Sequence, residues 1–168
     1  MKFKKISFLL LAFVLINSCQ KQAGEGGTSS ISGKVMTIDV SHIDVPGSEK
    51  IDTLKQYYAA EKEVYIIYGD EDAIYNDSFE TSWDGSFRFD FLRKGRYKLF
   101  VYSECEKDTI GLASLASTNP QYASGLINIW HPGCVNEEYP QMIEVEIIEN
   151  REELKLEDII IFNIVTAQ

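Results

Sequence analysis

DGSFRFDFLRKGRYKLFVYS (residues 84–103) places apolar side chains at alternate positions, breaks at Gly95 and resumes the alternation. Successive side chains of a strand point to opposite faces. Phe87, Phe89 and Phe91 are therefore expected on one face, with Arg88 and Asp90 on the other. Leu92 closes that strand. "RKGR" reads as a turn, with Gly95 free to take a positive φ. Tyr97, Leu99 and Val101 then line one face of the next strand. Upstream, Asp84-Gly85 is a strong hairpin signal between two strand-like runs. Residues 73–103 thus read as three consecutive antiparallel strands, a meander.

Working outward, the same period recurs. "ISGKVMTIDV" (31–40) reads as a first strand with Ile31, Val35 and Ile38 inward, and "EVYIIYG" (63–69) as a central strand. "MIEVEII" (142–148) sets Ile143, Val145 and Ile147 against Glu144 and Glu146. "EDIIIFNIV" (157–165) is a last strand, apolar on both faces. The best helix candidate, "DTLKQYYAAEK" (52–62), lacks a long apolar stripe and predicts a turn or two at most. Seven strands, turn signals between them and a single core predict an all-β, antiparallel, Ig-like sandwich. Residues 104–140 form one long loop excursion.

The front of the chain has a different character. Lys2, Lys4 and Lys5 precede an apolar run, Ile6 to Ile16, whose one polar member is Ser7. As a helix that run would reach about 16 Å, roughly half a bilayer core. Residues 1–18 therefore read as a signal peptide rather than a membrane span. The sequence Ile16-Asn17-Ser18-Cys19 resembles the lipobox of bacterial lipoproteins. That resemblance implies an acylated Cys19 as the mature N-terminus, and Gln20, where an Asp would retain the protein at the inner membrane, leans toward the outer membrane. Ordinary secretion with a plain Cys19 thiol is the alternative. Residues 19–30 are small, polar and Gly-rich, a tether composition, which leaves 31–168 as the folded domain.

The chain has 16 basic and 26 acidic residues, a formal net charge of −10. The three leader lysines gone, the imbalance grows. Nucleic acids and anionic lipid surfaces need a basic footprint and are disfavoured as partners. Two cysteines remain after cleavage, Cys105 and Cys134, and an oxidising envelope makes their pairing the default. With His131 they could supply three zinc ligands, but no C-x-x-C spacing is present and His42 would have to come from far away. The chain is read as binding no metal or cofactor.

The 84–103 stretch resembles the signature of carboxypeptidase regulatory-like domains, in the wider transthyretin-like and Cna-B-like group. Its pattern D-G-x-F-x-F, a short gap, then L-x-x-G-x-Y-x-L-x-V falls on Asp84, Gly85, Phe87, Phe89, Leu92, Gly95, Tyr97, Leu99 and Val101. "ISGKV" and "LEDIIIF" resemble the group's first and last strands. The resemblance implies an accessory module rather than a peptidase, and the chain has no H-x-x-E or H-E-x-x-H zinc motif. Residues 41–61 and 104–140 are longer connections than the group's pattern.

Chemistry-bearing candidates are few. There is no G-x-S-x-G or P-loop, and Ser114 and Ser117 lack any triad context. The chain is therefore read as a non-enzyme. Asp70, Glu71, Asp72 and Asp77 form an acidic loop without EF-hand spacing. Lys34, Asn163 and Glu144 or Glu146 are the residue types of an isopeptide crosslink known among Cna-B-like relatives. In the excursion, Tyr122, Trp130 and Tyr139 are candidate ligand-binding residues: they could stack on sugar rings, grip a partner, or pack the lobe onto the sandwich. The expectation is a lipid-anchored accessory module with an envelope protein partner. Glycan or small-ligand binding through residues 104–140 is the alternative.

Overall fold

The computed structural model describes residues 23–45, 48–70, 73–105 and 133–165. The leader, Cys19, Tyr122, Trp130, His131, Ser114, Ser117, Glu71 and Asp72 lie outside the described residues. Among the described residues nine strands run in chain order: β1 (Glu25–Val45), β2 (Ser48–Tyr58), β3 (Glu63–Tyr68), β4 (Asp77–Glu80), β5 (Ser86–Leu92), β6 (Gly95–Glu104), β7 (Glu138–Ile147), β8 (Glu153–Lys155) and β9 (Ile159–Ile164). Among the described residues there is no helix.

The strands form two sheets. One is ordered β4-β3-β6-β7, antiparallel throughout; the other is built around β1. β5 and then β2 pair antiparallel with β1, while β8 and then β9 pair parallel with it. Val35 marks one handover. Its N–H donates to the Gly85 carbonyl and its carbonyl accepts from the Ala59 N–H, both at 2.9 Å. A strand residue directs both groups to one edge, so β5 and β2 share that edge of β1, end to end.

Ile31, Val35, Phe87, Phe89 and Ile161 of the first sheet pack on Val64, Ile66, Leu99, Val101 and Ile147 of the second. Each such side chain contributes about 1.5–3 kcal/mol on burial, and the period-2 pattern of the sequence aims them all inward. This is the all-β, two-sheet, mostly antiparallel architecture expected, in nine strands rather than seven. The additions are β2 and β8. β2 replaces the helical turns expected within 52–62. Thr53, Tyr57 and Tyr58 suit a strand, and pairing with residues 36–45 of β1 satisfies its backbone. The long connection expected over 41–61 is thus a hairpin ribbon.

The meander is also corrected. β4 pairs with β3, β5 with β1, and β6 with β3 and β7. The chain crosses between sheets at residues 81–85 and returns at 93–94. Asp84-Gly85 does form a tight turn, with Gly85 N–H donating to Ser82 O at 2.8 Å and Gly85 at φ 75°. What it joins is two layers, not two paired neighbours.

Phe91 departs from its expected face: it is 73% exposed while Leu92 is 1% exposed. Phe91 has φ 59°, and between the pairs Phe89↔Ile31 and Leu92↔Ser29 β5 carries one residue more than β1. That extra residue is a bulge, which exchanges the faces of the residues after it.

β1 begins at Glu25, within the stretch read as tether. Ser29 and Ser30 are buried, and Ser29 Oγ donates to Glu149 O at 3.0 Å and accepts from Glu152 N at 3.1 Å. A side chain at Gly27 would lie 1.9 Å from the Leu92 carbonyl oxygen, so the glycine permits close packing rather than looseness. Tyr97, fully buried, ties this start down. Its hydroxyl accepts from Gly24 N at 3.1 Å and donates to Arg93 O at 2.6 Å. Tyr97→Phe strands the buried Gly24 N–H and the part-buried Arg93 carbonyl and is expected to cost about 2 kcal/mol, read by urea denaturation at constant m.

Candidate functional site

The feature of the four-stranded sheet that does not serve the core is its outward face. Phe100 and Tyr102 alternate with the inward Leu99 and Val101 on β6, so they project outward. Antiparallel register sets Tyr65 of β3 opposite Phe100, and Met142 of β7 on Phe100's other side. The Tyr65 and Phe100 rings stack at 4.9 Å with an interplanar angle of 18°. Tyr102 meets Phe100 edge-on at 5.6 Å and Tyr65 at 5.9 Å. Tyr75 leans on Tyr65 at 4.9 Å. It comes from the β3–β4 connection, which Asn76 fastens: its N–H donates to Ile66 O at 2.8 Å and its Oδ1 accepts from Tyr68 N at 2.7 Å.

Phe100 is covered by these neighbours and lies outside the inter-sheet core. Tyr75, Tyr102 and Met142 are 49%, 41% and 52% exposed. Carboxylates edge the patch. Glu63 stands directly opposite Glu80, a like-charge pairing that costs stability. The Tyr65 hydroxyl donates to Glu63, and that bond, followed by burial, pushes the phenol up to about 12. Tyr65 therefore stays protonated and holds one carboxylate in place. The arrangement offers flat apolar rings beside hydrogen-bond acceptors.

The positions singled out from sequence are distributed differently. Cys105 and Cys134 form the expected disulfide, with Cα atoms 5.9 Å apart and both residues buried. It joins the end of β6 to the turn before β7, where Cys105 N–H also donates to Glu137 O at 2.9 Å. Both thiols are thereby withdrawn from metal binding. Tyr139 is half-buried on β7 opposite Ser103, in the alternation that carries Ile143, Val145 and Ile147 inward. It is not part of the aromatic face. Tyr122 and Trp130 lie outside the described residues.

Lys34 and Asn163 are not brought together. Lys34 Nζ binds Asp84 Oδ2 at 2.8 Å, whereas Asn163 donates to Asp39 Oδ1 at 2.9 Å. In the acidic loop, Asp70 pairs with Arg96 and Asp77 accepts from Ser78 N at 2.8 Å. Among the described residues, no group of three His, Cys, Asp or Glu side chains could hold a metal ion.

Sequence reasoning passed over Tyr65, Tyr75, Phe100 and Tyr102. The alternation already marked Phe100 and Tyr102 as facing away from Tyr97, Leu99 and Val101. The β3–β6 pairing that brings Tyr65 to them was not visible.

No family model matches the chain, and no curated protein matches it. Among solved structures it is similar to one from Pseudomonas aeruginosa described as a "putative carbohydrate binding protein". The two share 11% identity over 84% of this chain and 92% of that one, with a TM-score of 0.37.

Proposed function

We propose that this chain is a non-catalytic, lipid-anchored envelope protein whose sandwich is a binding module, and that it takes a neutral saccharide on the aromatic face of the four-stranded sheet. One observation carries the ligand assignment: the Tyr65, Tyr75, Phe100 and Tyr102 cluster sits outside the core and presents ring surface to solvent. Sugar rings have apolar C–H faces that pack on aromatic rings, and hydroxyl edges that need acceptors. Glu63 and Glu80 supply acceptors beside the rings. The net charge of −10 disfavours acidic polysaccharides.

Anchoring rests on the leader and the Ile16-Asn17-Ser18-Cys19 sequence, which favour an acylated Cys19 in the outer membrane. The non-catalytic reading rests on the lack of a catalytic motif in the sequence. Membership of the transthyretin-like and carboxypeptidase regulatory-like group is supported by the 84–101 pattern; the nine strands and the β1–β2 ribbon depart from it.

Tyr75→Ala and Tyr102→Ala remove exposed rings and are expected to leave the unfolding midpoint within about 2 °C. Each should weaken saccharide binding about tenfold on a glycan array followed by titration calorimetry. Glycans that bind both variants as well as the parent would overturn the assignment. So would a parent that binds none and instead loses an envelope protein partner on Tyr102→Ala. Separately, Cys19→Ala is expected to move the protein from the detergent phase to the aqueous phase of a detergent partition, because lipid chains, at about 0.8 kcal/mol per buried methylene, provide the anchor.

A further inference from the structure

The first sheet carries a second feature, independent of the aromatic face. β1 changes partners on both edges over residues 33–35. On one edge β5 ends its pairing at Lys34↔Ser86 and the chain passes to Ala59. On the other, β8 ends at Ser32↔Lys155, and β9 begins only at Val35↔Ile159. Between them residues 156–158 leave β1, after Leu156 N–H donates to Ser32 O at 2.8 Å. This double handover opens a cleft of about 490 Å³, within the size range of small-ligand sites.

Phe79, Phe87 and Leu156 give the cleft apolar lining, and Lys34, Arg88 and Lys155 give it charge. Register explains the convergence of cations. Arg88 of β5 and Lys155 of β8 both pair with Ser32, one on each side, and directly paired residues share a face. Lys34, two residues on, lies on that same face. Three cations at one cleft stand out in a chain where acids outnumber bases 26 to 16.

Two of the three are already engaged. Lys34 binds Asp84 and lies 4.6 Å over the Tyr58 ring. Arg88 Nε binds Asp90 at 2.7 Å, and its Nη2 is 3.8 Å from Glu153. Lys155 has no ion-pair partner among the described residues. One carboxylate lines the cleft itself: Asp158, which accepts from Tyr58 Oη at 3.1 Å. The site thus combines an ammonium unpaired among the described residues and a partly satisfied guanidinium with an acceptor and the hydroxyls of Ser32, Ser82 and Ser86.

We infer that this cleft binds a small, hydroxyl-bearing monocarboxylate, its carboxylate held between Lys155 and Arg88 and its hydroxyls facing Asp158 and the serines. A neutral polyol leaves Lys155 without a counter-charge. A dianion meets repulsion from Asp158, Asp84 and Glu153.

The test is calorimetric titration of the full chain carrying Tyr75→Ala and Tyr102→Ala, so that the aromatic face is silent. The probes are D-gluconate, sorbitol and inorganic phosphate. Gluconate is expected to bind saturably below about 10 mM, to weaken as salt is raised, and to exceed sorbitol and phosphate at least tenfold. Lys155→Ala and Arg88→Ala should each reduce gluconate affinity about tenfold, while Arg88→Lys retains part of it. Circular dichroism checks that each variant is folded. No saturable gluconate binding, an affinity unchanged in both alanine variants, or phosphate binding more tightly than gluconate would each overturn the inference. None of these outcomes bears on the saccharide assignment, which is read on the other sheet.

Discussion

Cys105→Ala combined with Cys134→Ala is expected to lower stability by about 3.6 kcal/mol. The two cysteines are 29 residues apart, and the bridge closes the connection between β6 and β7 at its base. Without it, the ten-pair β6–β7 ladder from Glu104↔Glu138 to Gly95↔Ile147 must form against the closure entropy of the whole 105–137 connection. The measurement is urea denaturation of the parent and the double variant, with the parent repeated under reductant. Reduced parent and double variant should coincide, both well below the oxidised parent. A difference under about 1 kcal/mol would mean that packing alone positions β7 and that the bridge constrains little of the unfolded chain.

Gly85→Ala should cost nearly as much, about 3 kcal/mol. Gly85 has φ 75°, and an added Cβ would lie 2.7 Å from the Val35 carbonyl oxygen and 2.9 Å from Tyr58 Cβ. The left-handed conformation costs an L-residue roughly 1–2 kcal/mol, and crowding in a packed site a further 1–3 kcal/mol. The site admits no easy retreat, because on that one edge the Val35 backbone bonds Gly85 through its N–H and Ala59 through its carbonyl. The thermal midpoint should fall by about 10 °C. Gly69→Ala separates the two causes. Its φ of 65° is equally left-handed, but the nearest atom to its new Cβ is 3.9 Å away, so it should cost only about 1 kcal/mol. Equal losses at the two glycines would show that strain, not the approach to β1, governs residue 85.

Much of the fold was legible because period-2 alternation is a local signal. Ile31, Val35, Phe87, Phe89, Tyr97, Leu99, Val101 and Ile147 were all assigned inward from spacing alone, and all are buried. The disulfide was expected from the cysteine count and from the leader read as a signal peptide. Phe91 misled the reading because a bulge is set by the partner strand, and a single sequence does not reveal its partner. Residues 53–58 misled it for a related reason: exposed on both faces, they show no alternation, and they are a strand because β1 offers them a ladder.

The amino-acid sequence by itself determined the strand class, most of the inward set, the turn at Gly85 and the acidic character of the chain, since each depends on composition or on residues near one another along the chain. Only the tertiary structure decided which strands are neighbours. That choice sent β5 to β1 instead of β4, assembled Tyr65, Tyr75, Phe100 and Tyr102 into one exposed face, and gathered Lys34, Arg88 and Lys155 around a cleft. Both surfaces arise from contacts between distant segments, and long-range pairing is settled by how the two layers bury their shared core together rather than by any stretch read alone.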